Sequence, residues 1–180
     1  MHRKRAITLK DGTPGIVRPI GPADSDALAA GLEELSEESR VRRYFFNKRK
    51  ISDPEMATLA NPDGVDHLAY GLAVTLEEEK EKETPIAVAR CFRDTQKNDL
   101  AEVAVVVADL WQGIGAGTEL MRSLSAAALK VGIRRWSAVT FSDNSPVRRL
   151  LERFGKIREE RDLGGGVTEL VADIKEPPGR

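Results

Sequence analysis

The 180 residues contain one cysteine, two histidines and two tyrosines. A lone Cys91 excludes an internal disulfide and fits a reducing cytosol. No cluster of histidine, cysteine and acidic residues falls at metal-ligand spacing, so no metal is expected. Long apolar runs are missing as well. The longest, residues 103–108, is far too short to span a bilayer. Met1-His2-Arg3-Lys4-Arg5 has no apolar stretch behind its charges and is not a secretory signal. The expectation is therefore a cytoplasmic protein with no membrane partner. Neither sign of charge is in excess: 28 Lys and Arg stand against 29 Asp and Glu. The basic surplus that marks a nucleic-acid binder is absent, so no nucleic acid is expected. No repeat or linker divides the chain. It reads as a flexible basic arm over residues 1–5, a single domain over 6–175 and a flexible tail over 176–180. That length is enough for a core without staples.

The patterning that is present alternates strands with helices. Ile7-Thr8-Leu9 and Ile16-Val17-Arg18 flank Asp11-Gly12 as a short hairpin, and Pro19 and Pro22 then break the strand. Leu28, Leu32 and Leu35 predict a helix over about 23–34. Ser36 caps a second helix with Glu37 and Glu38 in its first turn and Val41, Tyr44 and Phe45 as its buried side. A short third helix follows Ser52-Asp53-Pro54. Residues 67–76 and 85–92 read as paired strands around a solvated charge run at 77–83, and 101–108 as a central strand, Val-rich on both faces. A helix then runs to about Val131, with Leu120, Leu124, Ala128 and Val131 as its stripe and Gly132 ending it. Strand 136–141 leads to a helix opened by Ser145-Pro146, with Val147, Leu150, Leu151 and Phe154 on one face and Gly155 just past its end. Two last strands, 156–162 and 167–174, meet across Gly164-Gly165-Gly166. Hairpins together with crossovers predict a mixed α/β (α+β) architecture with helices packed on the sheet.

Gln112-Gly113-Ile114-Gly115-Ala116-Gly117-Thr118 lies between the central strand and a helix. Backbone N–H groups in the first turn of a helix have no partner inside it, and the helix dipole favours negative charge beyond that end. Glycines permit positive φ and close approach of an anion. A phosphate-bearing ligand is expected; a glycine-rich connection that merely packs against the sheet is the plainer alternative. The dinucleotide spacing G-x-G-x-x-G fails, because it ends on Thr118 counted from Gly113 and on Leu120 counted from Gly115. No acidic residue stands about twenty places on, where Ile133-Arg134-Arg135 is found. The triphosphate loop fails for want of any Gly-Lys-Ser/Thr.

Gln112, Gly115 and Gly117, read as Q-x-x-G-x-G, resemble the acetyl-CoA signature of the GNAT N-acetyltransferases, and the order of elements resembles that fold over nearly the whole chain. The resemblance implies a mixed, mostly antiparallel central sheet flanked by helices, with acetyl-CoA as acyl donor. It implies that the backbone of Val105, Val106 and Val107 pairs with the pantetheine arm. The N–H groups of Gly113, Ile114, Gly115, Ala116, Gly117 and Thr118 would hold the pyrophosphate. It also implies a cofactor contact from Asn144; a plain turn role within Ser142-Asp143-Asn144-Ser145 stands open beside it. In the N-terminal third, Ile16-Val17-Arg18-Pro19-Ile20, Ala23-Asp24, residues 35–40 and Arg43-Tyr44-Phe45-Phe46 resemble one subgroup, the GNAT domains of bacterial protein-lysine acetyltransferases. Such domains are often fused to regulatory or acyl-CoA-synthetase modules, and no seat for metabolite sensing by those modules is expected here.

An amine with a pKa near 10 is mostly protonated at neutral pH, so attack on a thioester needs a base within reach. Glu102 is the candidate, a lone acid in Leu100-Ala101-Glu102-Val103-Ala104-Val105. It should face a cleft or find a partner, since burying an unpaired carboxylate is costly. The resemblance implies that the Ala-Glu at this point carries the general base; an exposed strand-end acid or a structural salt bridge is the alternative. The tyrosine that many relatives carry seven residues after the asparagine is Leu151 here, and Lys156 replaces a frequent phenylalanine. Water or the released proton would then have to protonate the leaving thiolate. Arg40, Arg42, Arg43, Lys48, Arg49 and Lys50 form a basic patch that reads as a solvated face or as an attractor of acidic groups. His67 reads as a structural residue. The expected acceptor is an amine, a lysine of a partner protein such as an acyl-CoA synthetase ahead of a small molecule. A non-catalytic acyl-CoA-binding regulator is the alternative, and a homodimer is compatible with either.

Overall fold

A computed structural model describes residues 4–75 and 83–177 of the chain. Residues 1–3 of the expected arm, 77–82 of the expected hairpin tip and 178–180 of the expected tail lie outside the described residues. The chain starts with strands β1 (Arg5–Thr8) and β2 (Pro14–Pro19). Gly12, at φ +91°, turns the chain between them, and the Asp11 carboxylate accepts from the Thr13 N–H at 3.0 Å. A single 3₁₀ turn over Pro22–Asp24 leads into α1 (Ser25–Glu34), followed by α2 (Glu37–Tyr44) and α3 (Asp53–Leu59). Then come β3 (His67–Thr75), β4 (Glu83–Arg93), β5 (Leu100–Val107), α4 (Ala116–Lys130), β6 (Arg135–Phe141), α5 (Ser145–Phe154), β7 (Gly155–Gly164) and β8 (Val167–Ile174).

The strands form one sheet in the order β1-β2-β3-β4-β5-β6-β8-β7. Every neighbouring pair is antiparallel except β5 and β6. The mixed, mostly antiparallel sheet flanked by helices is therefore as expected. Period-two alternation sorts its residues between two faces. Leu68, Leu72 and Val74 of β3, Cys91 of β4 and Val103 of β5 join the core with Leu120, Met121 and Leu124 of α4. Leu120 and Leu124 are fully buried, each contributing about 1.5–3 kcal/mol relative to an exposed side chain. Glu102, Ala104 and Val106 point to the opposite face, which α1–α3 cover. Gly132 follows α4 at φ +85°, the left-handed residue that ends a helix.

One local expectation is corrected. None of the α2 residues is buried: Val41 and Tyr44 are half-buried, and Phe45 is exposed and left-handed at φ +64°. The eight-residue helix is mostly charged. It leans on the ends of β5 and β6, with Phe45 against the Phe141 ring, instead of lying on the core. Gly155 stands just past the end of α5, as expected, in extended conformation as the first residue of β7. A β-carbon there would come within 2.6 Å of the Asp173 carbonyl, so close approach between chain segments is what demands glycine. Among the described residues no helix is long and apolar enough to cross a membrane.

Candidate active site

The one parallel junction is short. Leu100, Ala101 and Glu102 of β5 pair with Arg135, Trp136 and Ser137 of β6, and there the pairing ends. Beyond it β5 stays with β4 as far as Val107, while β6 stays with β8 as far as Phe141. The two strands diverge, and a cleft of about 810 Å³ opens between them. Its walls are β5, the glycine turn, the start of α4, the end of β6, α5 and α2. Glu102, Val105, Val106, Val107, Gln112, Gly113, Gly115, Ala116, Gly117, Thr118 and Asn144 all line it. Ile114 does not: its side chain packs on the core, and its carbonyl accepts from the Lys10 N–H at 3.0 Å.

The glycine turn is built as its composition requires. Gly113 and Gly115 have φ of +80° and +98°, and Gly115 is the residue from which α4 starts. Residues with side chains pay about 1–2 kcal/mol for that conformation. At Gly117 an added β-carbon would meet Leu150, Val105 and Val107 at 3.6–3.9 Å, so the missing side chain keeps the cleft wall open instead of relieving strain. The Gln112 amide donates to the Val107 carbonyl at 3.2 Å and to Ser39 Oγ at 3.4 Å, fixing the turn to the strand end and to α2. The Asp109 carboxylate accepts from the Ser36 N–H, Ser36 Oγ and Ser39 Oγ at 2.9, 2.9 and 2.6 Å. Burial pushes its pKa up, but the Ser39 and Ser36 hydrogen bonds outweigh that and leave it lowered. Asp109 and the two serines thus clasp α2 to the turn. Sequence reasoning missed this clasp because its partners stand about seventy residues apart.

Glu102 occupies the apex of the cleft, on the last rung before the strands part. Its neighbours across the sheet are Phe92 on β4 and Ser137 on β6. The side chain is exposed, and among the described residues no ion pair or hydrogen bond engages it. Ser137 Oγ is already committed to Glu169 at 2.8 Å. The expected lone acid therefore faces a cleft. Asn144 caps α5: its Oδ1 accepts from the Val147 N–H at 3.4 Å and its Nδ2 donates to Thr140 Oγ1 at 2.9 Å. Asn144 is thus a helix cap, a role the sequence reading did not name, and it also lies on the cleft wall.

Leu151 is buried on the cleft side, with no hydroxyl to offer. Tyr70 is buried in β3, where burial raises its phenol pKa well above the usual range, and Tyr44 lines a different cavity. Neither tyrosine reaches the cleft. The expected basic patch disperses. Arg40 turns back to the α1 end and to Asn47 at 2.9 Å, and Lys48 pairs with Glu55 at 2.9 Å. Arg42 bridges Glu38 at 3.0 Å and Asp143 at 3.2 Å across the cleft mouth. Arg42, Arg43, Lys10, Arg149 and Arg153 remain as cationic wall residues. His67 is structural, buried and stacked on Phe92 at 4.1 Å. Burial and the Arg90 charge, against a smaller opposing effect of Asp63, lower its pKa to about 4.

A strand-flanked cleft with a helix N-terminus at one end and an unengaged carboxylate at its apex suits a phosphate-bearing acyl carrier. The chain belongs to the Acetyltransferase (GNAT) family, whose model it matches over residues 32–156. Members of that family take their acetyl group from acetyl-CoA. It is 32% identical to Acetyltransferase Pat of Mycolicibacterium smegmatis over 91% of this chain and 47% of that protein. The chain thus spans about half the length of this relative. The GNAT domain of S. lividans PAT superposes with a TM-score of 0.79 at 30% identity, covering 95% of this chain and 97% of that domain. A more distant fold relative is yncA from Salmonella typhimurium, solved with its cofactor acetyl-CoA. It shares 15% identity at a TM-score of 0.67, covering 92% of this chain and 95% of that one.

Proposed function

We propose that the chain moves an acetyl group from acetyl-CoA to an amine, with a lysine of a partner protein as the leading acceptor. The observation that carries this reading is the free Glu102 carboxylate at the apex of a cleft whose other end is the glycine turn. The pyrophosphate rests on N–H groups within residues 113–118, and the pantetheine runs along the β5 edge at Val105–Val107. Glu102 takes a proton from the acceptor ammonium, directly or through water. The free amine then attacks the thioester carbon, forming the C–N bond. The tetrahedral intermediate gives one of its two N-bound protons to water and collapses with cleavage of the C–S bond, leaving one N–H in the amide product. The CoA thiolate leaves and is protonated by water or by the proton held on Glu102. The resemblance of the N-terminal third to protein-lysine acetyltransferases and the kinship with Pat favour a protein acceptor.

Incubation with labelled acetyl-CoA and a panel of acyl-CoA synthetases is expected to place label on lysine. Transfer to small amines alone would remove the protein-acceptor half of the reading. Leu151 favours one second reading, a non-catalytic acyl-CoA-binding regulator. Tight acetyl-CoA binding by calorimetry with no turnover on any amine would establish that alternative.

A further inference from the structure

A second cavity, of about 450 Å³, lies on the opposite face of the sheet beneath α1–α3. It is separate from the glycine turn, but Arg43, Ala104 and Val106 line both it and the donor cleft, so the two spaces adjoin. Its volume suits a small ligand or one or two side chains. The wall is largely aliphatic, with Leu28, Leu32, Leu35 and Leu59 on the helical side. From the sheet side Arg90 enters this apolar space.

Arg90 is only 6% exposed. Among the described residues its two hydrogen bonds both run through Nη1, to the Leu59 carbonyl at 3.0 Å and to His67 Nε2 at 3.5 Å. No carboxylate among the described residues neutralises it. Burial, then repulsion from Arg43, lowers its pKa to about 10. Arg43 has no acidic partner among the described residues either; it lies over the Tyr44 ring at 4.9 Å. Among the described residues three acids touch this cavity. Asp24 is held by Arg18 at 2.7 Å and Glu55 by Lys48 at 2.9 Å, while Glu34 is an exposed residue at the end of α1. Two arginines therefore face one largely aliphatic cavity with no ion-pair partner among the described residues. A buried charge in that condition is destabilising until an opposite charge arrives.

The register gives the cavity a direction. Arg90 pairs with Ala104, and Phe92 pairs with Glu102. Directly paired residues share a face, so Arg90 and Glu102 project from the same side as diagonal neighbours, with Cα atoms about 7–8 Å apart. A molecule with its amine at Glu102 can therefore extend an acidic group toward Arg90.

We propose that this cavity seats the acceptor and that Arg90, supported by Arg43, selects an acceptor carrying a carboxylate close to the amine that is acetylated. This rests on the acetyl-transfer reading above. The carboxylate comes either from an acidic side chain beside a lysine in a polypeptide or from a free amino acid. The guanidinium meets it through the nitrogens that Leu59 does not occupy.

Binding and turnover test this separately. Hexanoate titrated into the ¹⁵N-labelled 180-residue chain, without acetyl-CoA, is expected to shift the Arg90 Nε–Hε resonance saturably, and hexanamide is not. Because this uses the unaltered protein, it decides the matter even if variants fold poorly. Arg90→Met should weaken hexanoate binding roughly tenfold to hundredfold, the range for a lost charged hydrogen bond. In acetyl transfer, a lysine peptide with an adjacent glutamate is compared with its glutamine analogue, and free lysine with lysinamide. The unaltered protein should favour the acid member of one pair roughly tenfold or more in kcat/KM. The pair showing the preference identifies the carboxylate's source. Arg90→Met should erase the preference while the KM for acetyl-CoA holds. Saturable hexanoate binding with no turnover on any acceptor would support the carboxylate site while refuting the acetyl-transfer reading. No hexanoate response at Arg90, or an equal fall in rate on acid and amide acceptors in Arg90→Met, would overturn the proposal.

Discussion

Alanine at Gly115 and alanine at Gly117 are predicted to act on stability in opposite directions, although the two sites are two residues apart. Gly115 sits at φ +98°, and an L residue there costs about 1–2 kcal/mol. Its new β-carbon would also touch the Lys10 stem at 3.4 Å, which a flexible side chain can yield. Gly115→Ala should therefore lose about 1–2 kcal/mol, a Tm drop of roughly 2–8 °C for a domain of this size. Gly117 lies inside α4 with no positive φ, and its new β-carbon would make only ordinary contacts at 3.6–3.9 Å. Gly117→Ala should gain up to about 0.5–1 kcal/mol from helix preference. The same methyl group narrows the approach to the first-turn N–H groups between Val105, Val107 and Leu150, so acetyl-CoA should bind at least several-fold more weakly. Thermal melts and calorimetric titration of acetyl-CoA read both quantities on both variants. A Gly117→Ala protein that melts lower, or that binds acetyl-CoA as tightly as the parent, would refute the reasoning about what this turn is for.

Other outcomes follow from individual groups. The Arg18 guanidinium beside Asp24, with a further hydrogen bond from Gly21, holds the Asp24 carboxyl below its usual range against the opposing effect of burial. A lowered native pKa means that the stability it contributes is present above the unfolded value of about 3.8 and is lost as pH falls through the native one. Asp24→Asn should thus cost about 1–3 kcal/mol in urea unfolding at pH 7, and the gap to the parent should shrink below pH 4. A gap that stays constant down to pH 3 would contradict this. Asp109→Ala should free α2 from the turn and raise the KM for acetyl-CoA more than it lowers kcat in steady-state assays. Burial pushes the Cys91 thiol up to about 12, so the native protein should react with a thiol reagent only on the timescale of its opening.

Local chemistry was legible in the sequence; chemistry assembled across the sheet was not. The turn at residues 112–118 announces itself because its glycines, its preceding strand and its following helix are contiguous, and the left-handed angles at Gly113 and Gly115 follow from composition. Glu102 was legible as an acid in an apolar strand. Its place at the apex of a cleft depends on the β5–β6 pairing stopping after three residues, and no local pattern announces that. The α2 helix was misjudged because Val41, Tyr44 and Phe45 have a helical apolar spacing, yet a short charged helix at a sheet end has little core to lie on. Arg90 drew no notice as one basic residue in a strand. Only the burial of its face and the lack of a facing carboxylate among the described residues make it conspicuous.

The central claim is that an acetyl group passes directly from a donor on the glycine turn to an amine deprotonated by Glu102. The most direct test is single-turnover transfer of labelled acetyl-CoA to a lysine acceptor by the parent and by Glu102→Gln. Among the described residues Glu102 has no hydrogen bond or ion pair that the substitution would break, so the variant should melt within about 0.5 kcal/mol of the parent and bind acetyl-CoA equally well. Its transfer rate should fall by about 10²–10⁴-fold. Transfer by Glu102→Gln at the parental rate would contradict the account.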